Sequence, residues 1–221
     1  KRYSTNVGLE GAFSPSEVKS NKEALDIILQ GIQESGYIPG EDFNIALDIA
    51  ASEIYDKTKS KYILKKEKKE FNTSNWVEFQ KELYSNYPLI SIEDPLIEDD
   101  WDGWGTITKE LGGKYNIVGD DLLTTNTQRI QKGIDTKAMN SVLIKLNQIG
   151  SVTETLNAIR LTVDNKMTAI ISHRSGETND SFIADLVVGT PATQCKFGGP
   201  TRGERLVKYN RLLEIERKLL L

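Results

Sequence analysis

The chain has 221 residues with a formal net charge of −4, and its hydrophobic and charged fractions are 38% and 27%. These values are ordinary for a globular protein of one or two domains, and the lack of a dominant basic face disfavours nucleic-acid binding. No apolar run approaches the ~18 residues that a membrane span needs. The basic run at residues 57–70 is interrupted by acids, and we expect it to be a solvated loop. The single cysteine, Cys195, cannot form an internal disulfide, which favours a reducing compartment and a cytoplasmic location.

The pattern that repeats along the chain is a short apolar strand ending in a polar residue, then a loop, then a helix. Near-continuous apolar strands are typical of a parallel sheet that is buried on both faces. Six strands are predicted, at residues 44–48, 89–93, 116–120, 141–145, 168–173 and 192–196, and a seventh is possible near residues 6–8. Most steps between strand ends are roughly 25 residues, the size of the repeat in a (β/α)8 barrel. The predicted fold class is therefore α/β, an incomplete TIM-like (β/α)8 barrel.

The helical patterns lie between these strands and carry recognisable start and stop signals. Helices are predicted after Ser20, with a stop at Gly36, and after residues 73–74. Residues 151–154 form a capping-box pattern at the start of another helix. The last two helices are predicted at residues 181–188 and 203–220. In the final helix we expect an apolar stripe to face the core, made of Leu206, Tyr209, Leu212, Leu213 and Ile215.

Charged side chains occupy the predicted strand ends, where the active site of a (β/α)8 barrel lies. Three of them are the carboxylates Asp48, Glu93 and Asp120. Oxygen ligands of this kind suit Mg²⁺, whereas the absence of Cys and His clusters disfavours zinc. The alternative is that each acid is a helix cap or a loop ion pair. That alternative is less favoured for three acids and two lysines together than for any one acid alone.

Two lysines follow apolar strands and are candidates for chemistry. Lys145 ends a buried strand, where desolvation and a nearby lysine would favour the neutral amine that a general base needs. Lys196 ends the strand two further along and is a candidate for that neighbour. Such a pair calls for anions nearby, from an anionic substrate, a metal cluster or both. The alternative is a pair of surface lysines that reach toward water.

A phosphate-binding trio is predicted at the end of a third strand, where His173, Arg174 and Ser175 follow each other. Arginine offers a bidentate fork and serine a hydroxyl, and both suit a phosphate. The chain contains a single histidine, which alone is usually a packed or capped residue. Its position between a buried strand and the Arg-Ser pair favours a substrate contact. A Ser-His-Asp hydrolase is disfavoured because no nucleophile-elbow pattern is present.

Several segments of the chain resemble the enolase family, and together they extend over essentially all 221 residues. They lie at residues 47–53, 91–95, 98–101, 118–122, 144–150, 172–177 and 204–210. The most specific are the string from lysine to glycine at 145–150 and the string Ser-His-Arg-Ser-Gly-Glu at 172–177. The resemblance identifies residues 1–221 as the C-terminal TIM-barrel domain. It implies that the first barrel strands and the N-terminal α+β domain would precede Lys1, and the lack of an initial Met agrees with a longer product.

The resemblance also implies a role for each candidate residue. Asp48, Glu93 and Asp120 match the family's Mg²⁺ ligands. Lys145 matches the base that removes the proton from carbon 2, and Glu10 the acid that assists departure of the hydroxyl from carbon 3. The remaining matches are substrate contacts at His173, Arg174, Ser175 and Lys196.

The chain departs from the family's pattern beside the predicted acid. Leu9-Glu10-Gly11-Ala12 stands where the family usually has Asp-Glu-Gly-Gly, so a charge and a hydrogen-bonding group are lost next to Glu10. Gly203 replaces a usual Ser, and the loop at residues 197–200 also varies. These departures leave the role of Glu10 open.

Three functions follow as hypotheses. The first is a glycolytic, Mg²⁺-dependent phosphopyruvate hydratase that interconverts 2-phosphoglycerate and phosphoenolpyruvate as part of a longer chain, typically a homodimer in this family. The second is a truncated, non-catalytic, enolase-derived interaction protein. The third is another lyase or isomerase on the same scaffold, which the phosphate trio and the lysine pair disfavour. We expect the 221-residue chain alone to be poorly active.

Overall fold

The computed structural model of the chain describes residues 2–220. The chain divides into two units. Of the described residues, the central unit contains 18–122 and 133–140, and the terminal unit contains 2–17, 123–132 and 141–220. Among the described residues, no helix combines the length and the apolar character needed to cross a membrane.

The central unit is built around three parallel strands. Its elements are α1 (Asn21–Glu34), β1 (Ile45–Asp48), a 3-10 turn (Ala51–Ile54), β2 (Tyr55–Asp56), β3 (Lys61–Leu64), β4 (Lys69–Phe71), α2 (Thr73–Ser85), β5 (Leu89–Glu93), α3 (Trp101–Leu111) and β6 (Asn116–Gly119). Strand β5 pairs in parallel with β1 on one side and with β6 on the other. Helix α1 begins where predicted, because the Ser20 side chain accepts a hydrogen bond from the Glu23 amide. It ends just before Gly36, which has a positive φ.

The basic run is structured, and the prediction of a solvated loop at residues 57–70 is wrong. Strands β2, β3 and β4 form a three-stranded antiparallel sheet there. Glu70 forms ion pairs with both Lys59 and Lys61, so like charges along the run are separated by an acid. Tyr62 is fully buried and stacks on Trp76 of α2, which attaches the hairpin to a helix. Strand β3 alternates half-buried and buried residues. The lysines around it make the segment resemble a solvated loop when only its charge is considered.

The terminal unit also contains three parallel strands. Its elements are β7 (Ser141–Ile144), α5 (Leu146–Ile149), α6 (Val152–Asp164), β8 (Thr168–Ser172), α7 (Phe182–Val188), β9 (Gln194–Lys196) and α8 (Gly203–Leu219), while α4 (Thr127–Thr136) contributes residues to both units. Strand β8 pairs in parallel with β7 and with β9. All four residues of β7 are buried, as expected for a parallel strand covered on both faces. The α/β class and all six predicted strands are confirmed.

Two local sequence signals in this unit, the capping box at residues 151–154 and the possible strand near residues 6–8, had different outcomes. The capping box is confirmed, because the Ser151 hydroxyl accepts from the Glu154 amide and donates to the Glu154 carboxylate. The seventh strand near residues 6–8 is not formed as a strand. Val7 makes an isolated antiparallel bridge with Phe13 instead.

Helix α8 packs in a way that the sequence pattern did not predict. Leu206 and Leu213 of the expected core-facing stripe are 37% and 50% exposed. The buried residues of this helix are two cations, Arg205 and Lys208. Both donate hydrogen bonds to backbone carbonyls of the loop that follows β8, Lys208 to Thr178 for example. Tyr209, Leu212 and Ile215 of the stripe are half-buried, and the Tyr209 ring packs against Phe197, so the expected stripe is confirmed only in part.

Candidate functional site

The three predicted metal ligands all lie in the central unit, at the carboxyl ends of neighbouring strands. Asp48 and Glu93 are direct partners across the β1–β5 ladder. Residues at one level of adjacent strands point to the same face of a sheet, so these two carboxylates share a face. Asp120 follows β6, the strand on the other side of β5. Glu93 and Asp120 are buried, whereas Asp48 is exposed.

Asp94 orders the backbone around these acids. It is buried with a positive φ of 43°, and its two carboxylate oxygens accept the backbone N–H groups of Asp120 and Asp121, both at 2.9 Å. Burial raises the pKa of Asp94 to about 8, against the lowering effect of those two hydrogen bonds. The position of Asp120 therefore depends on the Asp94 side chain.

The acids of the central unit suit a divalent metal. Within residues 2–220, Asp94, Asp120 and Asp121 form a group whose carboxylate oxygens lie within 4.8 Å of one another. Asp120 thus belongs both to this group and to the set predicted from sequence. An all-oxygen set of partly buried carboxylates is the donor set that Mg²⁺ prefers. Because each oxygen of Asp94 already accepts a backbone N–H, Asp94 is better suited to holding the site than to binding the ion.

The two candidate lysines of the terminal unit lie at one level of the sheet. Ser172 of β8 is the register partner of Lys196, and Lys145 follows Ile144, whose partner in β8 is Ile171. Lys145 and Lys196 are therefore level on either side of Ser172, about two strand spacings or ~10 Å apart at their Cα atoms. Both residues are half-buried. The Lys145 amide donates to the Thr125 hydroxyl at 2.9 Å, which fixes the backbone where the strand ends.

Glu10 joins the residues that follow β8, although 165 positions separate it from Ser175. The Ser175 hydroxyl donates to Glu10 Oε1 at 2.9 Å, and His173 Nε2 lies 3.6 Å from Glu10 Oε2. His173 lowers the pKa of Glu10 to about 2, helped by Ser175 and opposed by burial. Glu10 is therefore ionised near neutral pH in this arrangement.

Three glycines let the backbones around Glu10 approach closely. The Gly199 amide donates to the Glu10 carbonyl at 2.8 Å. Gly11 and Gly198 both have positive φ values, and a Cβ on Gly198 would meet the Glu10 carbonyl oxygen at 2.6 Å. The loop after β9 thus holds Glu10 beside His173.

A family model described as "Enolase, C-terminal TIM barrel domain" matches residues 1–220. The chain belongs to this family. The match confirms the resemblance found in the sequence and the TIM-barrel class of the enolase C-terminal domain. It supports enolase-type chemistry in general without specifying the reaction.

Two features of this enolase domain differ from the simplest reading of its sequence. Ser175, predicted to contact phosphate, is hydrogen-bonded to Glu10, and the Arg174 guanidinium donates to Asn147 at 3.3 Å. Leu9, which replaces the family's usual Asp, is 68% exposed, and its carbonyl rather than its side chain takes part in the cluster. The phosphate contacts of Arg174 and Ser175 and the acid role of Glu10 stay predictions.

The residues that support the site carry only a weak signal in the sequence. Asp94 and Asp121 lie in segments that resemble the family, next to the predicted ligands Glu93 and Asp120, and this adjacency is the available signal. Arg205 also lies in a segment that resembles the family, but a charged residue in an amphipathic helix is normally expected on the surface. Its burial depends on carbonyl groups that a helix pattern does not show.

Proposed function

We propose that this chain carries the catalytic residues of a glycolytic phosphopyruvate hydratase, which interconverts 2-phosphoglycerate and phosphoenolpyruvate. The observation that carries the proposal is the level alignment of Lys145 and Lys196 on either side of Ser172 in a domain of the enolase family. Removing a proton from the carbon next to a carboxylate requires a base close to that carbon and positive charge near the carboxylate. Two lysines at one edge of the sheet can supply both.

In the proposed reaction, Lys145 takes the proton from carbon 2 of the substrate. Lys196 contacts the substrate carboxylate and offsets the charge that develops on it as the enolate forms. Asp48, Glu93 and Asp120 would hold Mg²⁺, which when bound supplies the positive charge that enolate formation needs. Lys145 thus has the task of moving the proton, whereas Lys196 and the acids that would hold Mg²⁺ have the task of supplying positive charge.

Glu10 assists departure of the hydroxyl from carbon 3, and its surroundings suggest how it gains a proton. As an ionised group with a pKa near 2 it cannot donate one. A substrate phosphate that takes the Ser175 hydroxyl would remove one donor from Glu10 and bring negative charge near it. Both changes raise the pKa of a carboxyl group. Ser175, Arg174 and His173 thus have a proposed role in binding the phosphate and in preparing Glu10.

The proposal also concerns the context in which the chain works. We propose that its gene product contains the N-terminal α+β domain and the first barrel strands, forms a homodimer and acts in the cytoplasm. The lone Cys195 agrees with a reducing compartment. Size-exclusion chromatography with light scattering on the gene product tests the dimer.

An ultraviolet assay of 2-phosphoglycerate dehydration, with and without Mg²⁺, tests the activity. We expect the gene product to form phosphoenolpyruvate only with Mg²⁺. If it is inactive and binds neither Mg²⁺ nor a phosphonate analogue of the substrate, the non-catalytic interaction protein is the better hypothesis.

A further inference from the structure

Arg205 is fully buried, and the two terminal nitrogens of its guanidinium group, Nη1 and Nη2, face acceptors. Nη1 donates to the Arg174 carbonyl and lies 2.6 Å from His173 Nδ1, while Nη2 donates to the carbonyls of Leu9 at 2.8 Å and Ser175 at 2.7 Å. One side chain of α8 thus contacts both the residue before Glu10 and the three residues that follow β8. None of the proposed metal, acid–base or substrate-binding roles explains why a cation is buried there.

The contact with His173 determines where the imidazole carries its hydrogen. A guanidinium group has five N–H donors and no acceptor. At 2.6 Å, His173 Nδ1 must accept from Arg205, because two N–H groups cannot point at each other. The hydrogen of the neutral ring then sits on Nε2, since the hydrogen bond at one ring nitrogen sets the state of the other. Nε2 is the nitrogen that faces Glu10 Oε2.

We propose that Arg205 is a positioning residue that holds His173 as the Nε2–H tautomer and directs that N–H toward Glu10. Nε2 is buried and has no hydrogen-bond acceptor within range among residues 2–220. A buried donor without an acceptor is costly, so a substrate oxygen that approaches Nε2 beside Glu10 would gain a hydrogen bond that is already aimed. This consequence for substrate rests on the proposed function, whereas the tautomer itself does not.

Packing around the ring supports a fixed orientation. A Cβ on Gly198 would meet His173 Cε1 at 2.8 Å and Arg205 Cδ at 2.9 Å, so the three residues are in close contact. The ring has little room to turn over and exchange its two nitrogens. The arginine stem therefore fixes the position of the ring, and the guanidinium group fixes its hydrogen.

A purely structural role for Arg205 is a weaker explanation. A buried cation is normally stabilised by a close carboxylate, as Lys208 on the same helix is by Glu177 at 3.0 Å. The ion pair of Arg205 is with Glu204, and it is long, with 3.9 Å between Nε and Oε1. On burial, Arg205 therefore loses water and gains backbone carbonyls and the His173 imidazole as hydrogen-bond acceptors. Lys208 does not share the contact with the imidazole.

Long-range ¹H–¹⁵N correlation spectroscopy on the ¹⁵N-labelled chain tests the proposal directly. His173 is the single histidine of the chain, so its two ring nitrogens give the only imidazole signals. We expect one neutral tautomer near neutral pH, with the hydrogen on Nε2 and with Nδ1 as the unprotonated nitrogen. An Nδ1–H tautomer, or signals averaged between the two tautomers, would overturn the proposal without any variant being made.

Two variants separate positioning from simple support of the fold. In Arg205→Met we expect the Nδ1–H population to rise several-fold, because the obligatory donor to Nδ1 is gone. The matched control is Lys208→Met, which removes the other buried cation of α8 and should leave the tautomer unchanged. A folded Arg205→Met variant that keeps a single Nε2–H tautomer would contradict the proposal.

Activity gives an independent readout that separates this inference from the proposed function. In a gene product that dehydrates 2-phosphoglycerate, Arg205→Met should lower kcat more than it raises KM. An inactive protein with the Nε2–H tautomer would count against the function and support the positioning role. An active protein with the Nδ1–H tautomer would do the reverse.

Discussion

At the scale of single residues, Glu10 has the most informative environment in the terminal unit. Its pKa is lowered from 4.5 to about 2 by His173 above all, so its ionised form stabilises the folded state. For a carboxyl with a lowered pKa, that stabilisation is complete above about pH 4.5 and is lost as the pH falls toward about 2. The side chain is 44% exposed, and solvent screening therefore makes the effect modest.

This linkage gives a prediction for Glu10→Gln. The wild-type chain should be more stable than the variant near neutral pH, because a carboxylate accepts from the Ser175 hydroxyl more strongly than an amide does and is attracted more strongly by the nearby His173. The difference in unfolding free energy should shrink between about pH 4.5 and about pH 2. Urea denaturation at a series of pH values measures it. A difference that is constant over this range would show that Glu10 is not ionised preferentially in the fold.

Asp94 gives a second prediction at this scale. Asp94→Asn replaces one accepting oxygen by an NH₂ group that faces a backbone N–H, of Asp120 or of Asp121. A buried donor left without an acceptor costs about 1–3 kcal/mol, so urea denaturation should show a loss of that size. The exposed Asp99→Asn is the control and should change stability by less than about 0.5 kcal/mol. Equal effects in the two variants would refute the ordering role of Asp94.

The residue scale also shows what the sequence can and cannot provide. Asp48, Glu93 and Lys145 were found because each ends an apolar strand, and a strand end is visible where a short apolar run meets a charged residue. The support given by Asp94 and Arg205 was not visible, because it consists of hydrogen bonds to backbone groups far along the chain. Nothing in local composition reports where a distant carbonyl will lie.

At the scale of elements, the strands and the starts of the helices could be predicted from residues close in the sequence. How these elements pack was harder to predict. The capping box at Ser151 and the buried strand β7 needed only neighbouring residues. The stripe of helix α8 was predicted only in part, because Leu206 and Leu213 are exposed and the cations Arg205 and Lys208 are buried instead. The basic hairpin β2–β4 was misread because charge was given more weight than alternation.

The loop after β9 carries a prediction of its own. Gly198 has a φ of 88°, and a Cβ there would meet the Glu10 carbonyl oxygen at 2.6 Å. Gly198→Ala should therefore destabilise the fold by about 1–3 kcal/mol through backbone strain, together with steric displacement of Glu10 or His173. Thermal denaturation and the His173 nitrogen signals measure the two effects.

Gly113→Ala is the control for this substitution. Gly113 has no atom within 4 Å of an added Cβ, so the variant should match the wild-type chain within about 0.5 kcal/mol. A Gly198→Ala variant as stable as this control, with unchanged imidazole signals, would contradict the close packing of Glu10 against the loop.

At the scale of the whole molecule, family membership is the firmest result, because the enolase C-terminal domain model spans residues 1–220. The motif strings at the strand ends allowed the same family to be inferred from sequence. The reaction does not follow from membership alone, because the identity of the base and the metal requirement are properties of the working protein.

The most direct test is the ultraviolet assay of phosphoenolpyruvate formation from 2-phosphoglycerate by the gene product that carries this chain, with Lys145→Met alongside. We expect activity that requires Mg²⁺ and disappears when the metal is chelated. Loss of a positioned general base typically lowers the rate by ~100-fold or more, so Lys145→Met should be slower by at least that factor while its circular dichroism is unchanged. No Mg²⁺-dependent activity in the wild-type protein, or equal rates in the two proteins, would contradict the account.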